Sequence, residues 1–252
     1  MPLPKLFFSV ICATLLTSSS TFAKDDHAEH AEHAATATKV ETTKEAKHEE
    51  HKRKASDITG EKALSMLKNG NTRYTRAHNR KDGAGKLDRE KLLEGQKPHA
   101  IILSCSDSRV PPEIVFDQKL GEIFVVRTAG ESIDYSAIAS IEYALMHLGS
   151  NLIVVMGHES CGAVKAALAT LKGGDAGSPW LNKLVADLHP HLKRFSELSQ
   201  TDGVVVESWA NVEGVAKDLM DRSEIVRRLV ESGDVKIQNA LYRLGSGTVE
   251  WR

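Results

Sequence analysis

The sequence has no large excess of either charge, and its apolar residues form no run long enough to cross a bilayer. Its 33 basic and 34 acidic side chains give a formal net charge of −1, which provides no general electrostatic reason to bind nucleic acid or anionic lipid. No internal repeat is visible. What remains is the composition of an ordinary soluble protein, 41% hydrophobic and 27% charged, that could form one domain of about 200 residues.

The first 23 residues have the pattern of a secretory signal peptide. Lys5 precedes an apolar run at 6–16, and a small, polar stretch then ends at Ala23. A positive start, a short apolar run and a small-residue exit are typical of a cleaved export signal. The alternative, a membrane anchor, is disfavoured because a bilayer core of roughly 30 Å needs a longer run. The sequence therefore predicts a mature protein that is periplasmic or secreted, without stable membrane insertion.

Residues 24–55 form a histidine-rich leader that we predict to be disordered. From Asp25 to Lys54 the residues are almost entirely Ala, Thr, His, Glu and Lys, and Val40 is the one large apolar side chain. Such a segment cannot bury enough apolar surface to offset its ordering entropy. Its histidines leave two alternatives open, a solvated linker or a segment that gathers metal. Three of them follow one another at a spacing of three: His27, His30 and His33.

From residue 56 to residue 252 the pattern is that of one domain with alternating strands and helices. Short, fully apolar runs predict buried strands at 100–103, 123–126 and 152–156. Apolar residues at helical spacing predict helices at 60–76, 135–148, 162–171, 179–199 and 208–232. Two more strands are predicted at 235–242 and 248–251. We therefore predict an α/β fold, with a central, mainly parallel sheet flanked by helices and a C-terminal strand pair. Ser56-Asp57 is expected to cap the first helix.

Two polar clusters follow the first and third predicted strands. They are SCSDSR at 104–109 and GHESCG at 157–162. Ligands of open α/β sheets sit beyond the carboxyl ends of the strands. Neighbouring parallel strands would bring the two clusters together at that edge.

Cys105, His158 and Cys161 then form a set of two cysteines and one histidine, which is a pattern of catalytic zinc sites. Cys161 is predicted at a helix N-terminus, where the helix dipole favours a thiolate. The alternative is a disulfide between the two cysteines, as expected in an oxidising compartment. A disulfide would not account for His158, nor for Asp107 and Arg109, which are spaced to form an ion pair. The spacing favours zinc and leaves the disulfide open.

Together the two clusters resemble the double signature of β-class carbonic anhydrases. The resemblance is carried by CSDSRV at 105–110 and HESCG at 158–162, and it extends from about Gly60 to Trp251. It implies a homodimer or homotetramer that uses zinc, held by the two cysteines and the histidine, for the reversible hydration of carbon dioxide to bicarbonate and a proton. Asp107, paired with Arg109, would orient the zinc-bound water.

The resemblance also implies roles for residues outside the zinc ligands. Gln96 matches a glutamine that contacts the substrate from across a dimer interface, and the Gly162 amide would assist it. Tyr143 matches a pocket-lining position, as does Phe124, and His147 matches a proposed proton-shuttle position. For Tyr143 and His147 the alternatives are helix packing and a surface histidine.

Departures from the family pattern affect one edge of the pocket and the resting state of the metal. Thr128 and Glu131 stand where the family usually has asparagines. In some members the aspartate equivalent to Asp107 binds the zinc and closes the site. The segment 67–77 lacks the tryptophan of the allosteric branch, which favours the open state here.

Two other functions remain open from the sequence. The same site could hydrolyse a related linear molecule such as carbonyl sulfide or carbon disulfide, depending on pocket width. A periplasmic zinc-binding protein would account for the histidine-rich leader. That second alternative gives no role to Asp107, Arg109 or Gln96.

Overall fold

The computed structural model describes residues 53–252. The predicted signal peptide and the leader up to residue 52 lie outside the described residues. At the start of the described part, Arg53 donates hydrogen bonds to the carbonyl oxygens of Leu145 and Ser150, at 3.0 and 2.8 Å. The chain is therefore attached to the domain from the first residue that is described. No helix between residues 53 and 252 is long and apolar enough to cross a membrane.

A five-stranded sheet forms the centre of the domain, with strand order β2-β1-β3-β4-β5. The strands are β1 (Ala100–Cys105), β2 (Ile123–Thr128), β3 (Leu152–His158), β4 (Lys236–Tyr242) and β5 (Val249–Trp251). The first four pair in parallel, and β5 runs antiparallel to β4. The predicted fold class, a mainly parallel sheet with an additional C-terminal strand pair, is confirmed.

Eight α-helices flank this sheet in the described part of the chain. They are α1 (Gly60–Thr75), α2 (Lys86–Lys91), α3 (Pro112–Val115), α4 (Tyr135–Met146), α5 (Gly162–Thr170), α6 (Pro179–Leu192), α7 (Val205–Arg222) and α8 (Glu224–Glu231). The sequence analysis did not predict α2 and α3, because helices of 6 and 4 residues show too little apolar periodicity.

Two local predictions about helix ends were wrong. The single helix expected at 208–232 is two helices, because Ser223 has extended backbone angles (φ −110°, ψ 110°) and its hydroxyl caps α8 by accepting from the Val226 amide. The first helix is capped by Thr59, whose hydroxyl accepts from the Lys62 amide at 3.2 Å. Ser56, the expected cap, instead accepts from the Ile58 amide.

The two faces of the sheet bury two separate apolar cores. On β1, Ile101 and Leu103 face the core built with α4, α7 and α8, whereas Ile102 faces the core built with α1 and α3. All residues of β1 and β3 are buried, as expected for central strands covered on both faces. Truncating Ile102 to alanine would cost about 2–5 kcal/mol of stability. The central strands are thus rigid supports for the groups that follow them.

Candidate active site

The carboxyl ends of β1 and β3 bring the two polar clusters together. Ser104 on β1 is in register with Met156 on β3, so the ends of the two strands, Cys105 and His158, lie at the same edge. Cys161 is the N-cap residue of α5, which returns to the sheet directly after the turn. The Sγ atoms of the cysteines and a ring nitrogen of His158 lie within 4.8 Å of one another, and all three residues are buried.

The geometry of these three donors fits a tetrahedral zinc ion. The two sulfur atoms are 4.0 Å apart, too far for a disulfide bond of about 2.05 Å. Two zinc–sulfur bonds of about 2.3 Å at a tetrahedral angle would place the sulfurs about 3.8 Å apart. The Glu159 carbonyl accepts a hydrogen bond from Nδ1 of His158 at 2.8 Å, which fixes the tautomer that leaves Nε2 as a ligand. Nε2 itself is buried without a hydrogen-bond partner.

The site strongly separates the acidities of its two cysteines. A hydrogen bond from Cys161 lowers the pKa of Cys105 to about 4, against the effect of burial. The pKa of Cys161 is raised because its proton is held by Cys105 and because it is buried. Burial acts to lower the pKa of His158, but its contact with the Cys105 thiolate raises it above the ordinary value. The pocket therefore favours a thiolate, the form that binds metal.

Asp107 and Arg109 form the predicted ion pair beside the sulfurs. Arg109 donates from Nε to Oδ1 at 2.9 Å and from Nη2 to Oδ2 at 2.7 Å, and its backbone amide also donates to Oδ1. These bonds to Arg109 hold the pKa of Asp107 well below its usual range. Oδ2 lies 3.8 Å from Nε2 of His158, so an ionised carboxylate stands at the mouth of the site.

The turn after β2 forms the side of the site where the sequence departs from the family pattern. It is a short turn, Ala129–Glu131, in which Gly130 has a φ of 65° and Glu131 a φ of 46°, and glycine adopts such an angle without strain. The Gly130 amide donates to Sγ of Cys105 at 3.4 Å. Glu131 is fully buried, and burial followed by the charge of Cys105 raises its pKa to about 8. Thr128 donates its hydroxyl proton to the Ser132 carbonyl.

A residue that the sequence analysis missed supports this turn. Nδ2 of Asn211, on α7, donates to the Gly130 carbonyl at 2.9 Å and to Oε1 of Glu131 at 2.8 Å. Asn211 shares its helix face with Ser208 and Val215, three and four residues away, and all three are buried. Because this face mixes polar and apolar side chains, the sequence alone provides no clear signal for the role of Asn211.

Gln96 lies at the other end of the sheet from the cysteines of its own chain. It is an exposed residue in the loop before β1, whereas Cys105 is the last residue of that strand. Because a parallel strand rises about 3.3 Å per residue, β1 alone separates the two positions by about 16 Å. Within one chain Gln96 therefore does not reach the site.

Tyr143 and His147 also lie away from the cysteines. Tyr143 is 49% exposed on α4, and its ring contacts those of Phe124 and His147, with centroid distances of 6.5 and 5.0 Å. Phe124 is in register with Ile101 of β1, four residues before Cys105, or about 13 Å along the strand. Among the predicted site residues, those that lie together at the carboxyl edge are Cys105, Asp107, Arg109, His158, Cys161 and Gly162.

Gly162 is the first residue of α5 and directly follows Cys161. Because it stands in the first turn of the helix, its amide has no partner within the helix. A Cβ atom added at this glycine would meet no atom within 4 Å. The space beside the Cα atom of Gly162 is therefore open.

Known proteins match this chain over most of the described domain. A family model described as carbonic anhydrase matches residues 100–249. A carbonic anhydrase of Mycolicibacterium smegmatis is 39% identical, over 75% of this chain and 92% of its own length. The solved β-carbonic anhydrase CcaA is 27% identical and covers 75% of this chain and 94% of its own, with a TM-score of 0.61. A tetrameric β-carbonic anhydrase from Sordaria macrospora, 24% identical with a TM-score of 0.58 over 65% of this chain and 84% of its own, has the same fold.

Proposed function

The chain belongs to the β-class carbonic anhydrase family, and we propose that it uses zinc for the reversible hydration of carbon dioxide to bicarbonate and a proton. The proposed ligands are Cys105, His158 and Cys161. The observation that carries the proposal is the buried Nε2 of His158, which has no hydrogen-bond partner and faces two sulfur atoms 4.0 Å apart. This donor set is one that zinc prefers, and a fourth position remains for a small molecule.

Zinc bound at this site would supply Lewis acidity, which makes water a nucleophile near neutral pH, as is known for carbonic anhydrases in general. The protein's own task is to hold that water and the carbon dioxide in a reactive geometry. An ionised carboxylate at Oδ2 of Asp107 can only accept a hydrogen bond, so it fixes the direction in which the water points. Arg109 keeps that carboxylate ionised and in place.

The Asp107–Arg109 pair supports an open resting site. Both carboxylate oxygens of Asp107 are engaged by Arg109, so turning the carboxylate towards the sulfurs would break two charge-assisted hydrogen bonds. The amide of Gly162 would donate to a substrate oxygen on the other side of the site, where negative charge develops as bicarbonate forms. A protein that merely stores zinc would need neither group.

Residues that lie far from the site of their own chain support a dimer or tetramer. Gln96 is exposed, and Tyr143 is exposed beside Phe124. We propose that they contribute to the site of a second copy of the chain, Gln96 by donating to the substrate and the two aromatic rings by lining its pocket. A two-fold interface uses the same surface twice, so that each dimer would carry two composite sites. His147, whose ring contacts that of Tyr143 at a tilt of 31°, would then be placed to exchange protons with buffer.

The N-terminal pattern supports export before folding. We propose that the chain is cleaved after Ala23 and that the mature protein acts outside the cytoplasm, in the periplasm or the medium. Mass spectrometry of the mature protein from fractionated cells should find an N-terminus at Lys24. An N-terminus at Met1 in the cytoplasmic fraction would contradict the proposal.

Stopped-flow measurement of carbon dioxide hydration tests the function. The full-length mature protein is compared after zinc loading, after chelation and after reloading, with metal content measured in parallel. We expect about one zinc per chain, catalysis that is lost with the metal, and recovery on reloading. Zinc-loaded protein without a rate above that of buffer would refute the proposal. An intact Cys105–Cys161 disulfide in active protein would refute the ligand assignment.

A further inference from the structure

A row of hydrogen bonds runs from the surface of α7 to the sulfur of Cys105. At its inner end, the Gly130 amide donates to Sγ of Cys105 at 3.4 Å. The Gly130 carbonyl in turn accepts from Asn211, which is fully buried. At its outer end, His191 of α6 contacts Oδ1 of Asn211 through Nδ1 and Oδ2 of Asp218 through Nε2, both at 3.0 Å.

Each member of this row is fixed in orientation by the next. The Gly130 carbonyl can only accept a hydrogen bond, so Asn211 must turn its NH₂ group towards the turn and its Oδ1 towards His191. Nδ1 of His191 is therefore the donor to Asn211, and Asp218 holds the other side of the ring. If the amide of Asn211 were reversed, its Oδ1 would face the Gly130 carbonyl oxygen, and neither oxygen could donate. The direction of the amide is therefore unambiguous.

Helix α7, which carries Asn211, has a glycine, Gly214, at the point where the imidazole ring of His191 approaches it. A Cβ atom at Gly214 would lie 2.2 Å from a ring carbon of His191. Glycine within a helix destabilises the helix relative to alanine. Here it allows the ring to pass close to α7 and reach both Asn211 and Asp218.

We propose that Asn211 is a positioning residue for the metal centre, holding the 129–131 turn so that the Gly130 amide hydrogen-bonds the Cys105 thiolate. His191 and Asp218 support it from the surface. The inference rests on the proposed zinc site. A hydrogen bond to a ligand sulfur reduces the electron density that the sulfur donates to the metal, so the metal remains a stronger Lewis acid, and such outer contacts commonly change metal affinity 10–100-fold.

Cobalt(II) tests this inference without relying on catalysis, because thiolate ligands give a charge-transfer band whose energy reports on the sulfur. The full-length protein is loaded with Co²⁺, and the wild type is compared with Asn211→Asp, which keeps the shape but replaces the donor group. We expect the band to move to longer wavelength because the sulfur loses a hydrogen bond, and cobalt to be retained roughly 10-fold less well against a chelator because the turn no longer holds Cys105 in position. The matched control is Asn71→Asp. Asn71 is also buried and donates to two carbonyls, those of Val115 and Gly247, away from the sulfurs.

A second variant keeps the test valid if Asn211→Asp does not fold. Asp218 is 39% exposed, so Asp218→Asn is tolerated sterically and should move the band in the same direction by a smaller amount. Its control is Asp221→Asn, on the same helix, which pairs with Lys217 in the described part of the chain. A wild-type band that neither Asn211→Asp nor Asp218→Asn moves beyond its control would overturn the inference. Absence of any thiolate band in wild-type protein would overturn the proposed metal site itself.

Discussion

The two ends of the sheet present contrasting surfaces. At the carboxyl end, Cys105 and His158 are buried, and Asp107 is held on both oxygens by Arg109. Near the opposite end, Gln96 is exposed in a loop before β1. Under the proposed function, the groups that would hold the metal are fixed by one chain alone, whereas Gln96 would be presented to a neighbour. On this proposal, metal binding belongs to the monomer and full catalysis to the assembly.

The largest expected effect is a loss of turnover after a substitution at the carboxyl end of the sheet. Asp107→Asn keeps the shape of the side chain but removes the charge that binds Arg109 and that we propose to orient water. We expect turnover to fall about 10²–10³-fold, with zinc retained, because Asp107 is not among the proposed ligands. Stopped-flow assay and metal analysis of the same samples measure both quantities.

The control for this variant is Asp82→Asn. Asp82 also pairs with a cation, Lys119, but its side chain is 68% exposed, so Asp82→Asn should change stability little and leave turnover unchanged. If Asp107→Asn turns over at nearly the wild-type rate, the proposed orienting role is wrong. If it loses zinc, Asp107 acts as a ligand and the site is not open.

The next effect tests whether Gln96 acts on the site of a second chain. Gln96→Ala should lower turnover roughly 10-fold by removing a substrate hydrogen bond, while leaving zinc content unchanged. Mixed with inactive Cys105→Ala chains, it should form a heterodimer with one complete site, which takes its cysteines from one chain and its glutamine from the other. Activity of the purified heterodimer above that of either parent is the expected result. No complementation in a verified heterodimer, or full activity of an isolated monomer, would contradict the composite site.

A smaller effect is expected on stability at the buried Glu131. Its pKa is raised from 4.5 to about 8 by burial and by the charge of Cys105, so between those values the folded protein keeps a proton that the unfolded chain releases. The free energy of unfolding should therefore fall as pH rises across this interval. Glu131→Gln removes that loss. At about pH 8 its free energy of unfolding should therefore exceed that of the wild type by a few kcal/mol. Urea unfolding of the metal-free, reduced proteins at several pH values measures the difference.

The control for Glu131 is a carboxylate with the opposite shift. Burial acts to raise the pKa of Glu122, but its hydrogen bond from Arg80 lowers it below the ordinary value. Its contribution to stability is lost as pH falls, so Glu122→Gln should differ from wild type most at neutral pH and least in acid. A stability difference between Glu131→Gln and wild type that does not vary from pH 5 to pH 8 would show that burial does not raise this pKa.

The smallest expected effect concerns the histidine-rich leader. Removing residues 24–52 should leave turnover of zinc-loaded protein unchanged, because the metal ligands and their supports lie in the described domain. If the leader gathers metal, the truncated protein should regain activity more slowly at limiting zinc, and a pH below about 6 should abolish that difference because its histidines become protonated. Equal reactivation of the two proteins would make the leader a linker.

The positions that could be predicted from sequence are those where a short-range pattern determines structure. Apolar runs predicted the central strands, and their ends located Cys105 and His158, because parallel neighbours end at one edge. The ion pair between Asp107 and Arg109 followed from spacing alone. These features depend on contacts within a few residues or on one simple rule of sheet geometry.

Other features could not be predicted, because distant segments decide them. Asn211 meets Gly130 across 81 residues, and no local pattern indicates which carbonyl it faces. Ser223 lies inside the single helix predicted at 208–232, but its hydroxyl donates to Glu142 on α4, and this contact favours the break between α7 and α8. The burial of Glu131 likewise depends on α7 covering the turn.

The contact between α1 and β5 has a consequence for how the protein acquires its structure. Oδ1 of Asn71 accepts from the Val249 amide at 2.9 Å, across 178 residues. Closing so long a loop costs entropy that grows with the logarithm of its length, and contacts of such high separation form late and slow folding. During synthesis, the hydrogen bond between α1 and β5 can form only after β5 has emerged, although α1 can already pack on β1, β3 and α3. A late contact of this kind is compatible with the proposed export before folding.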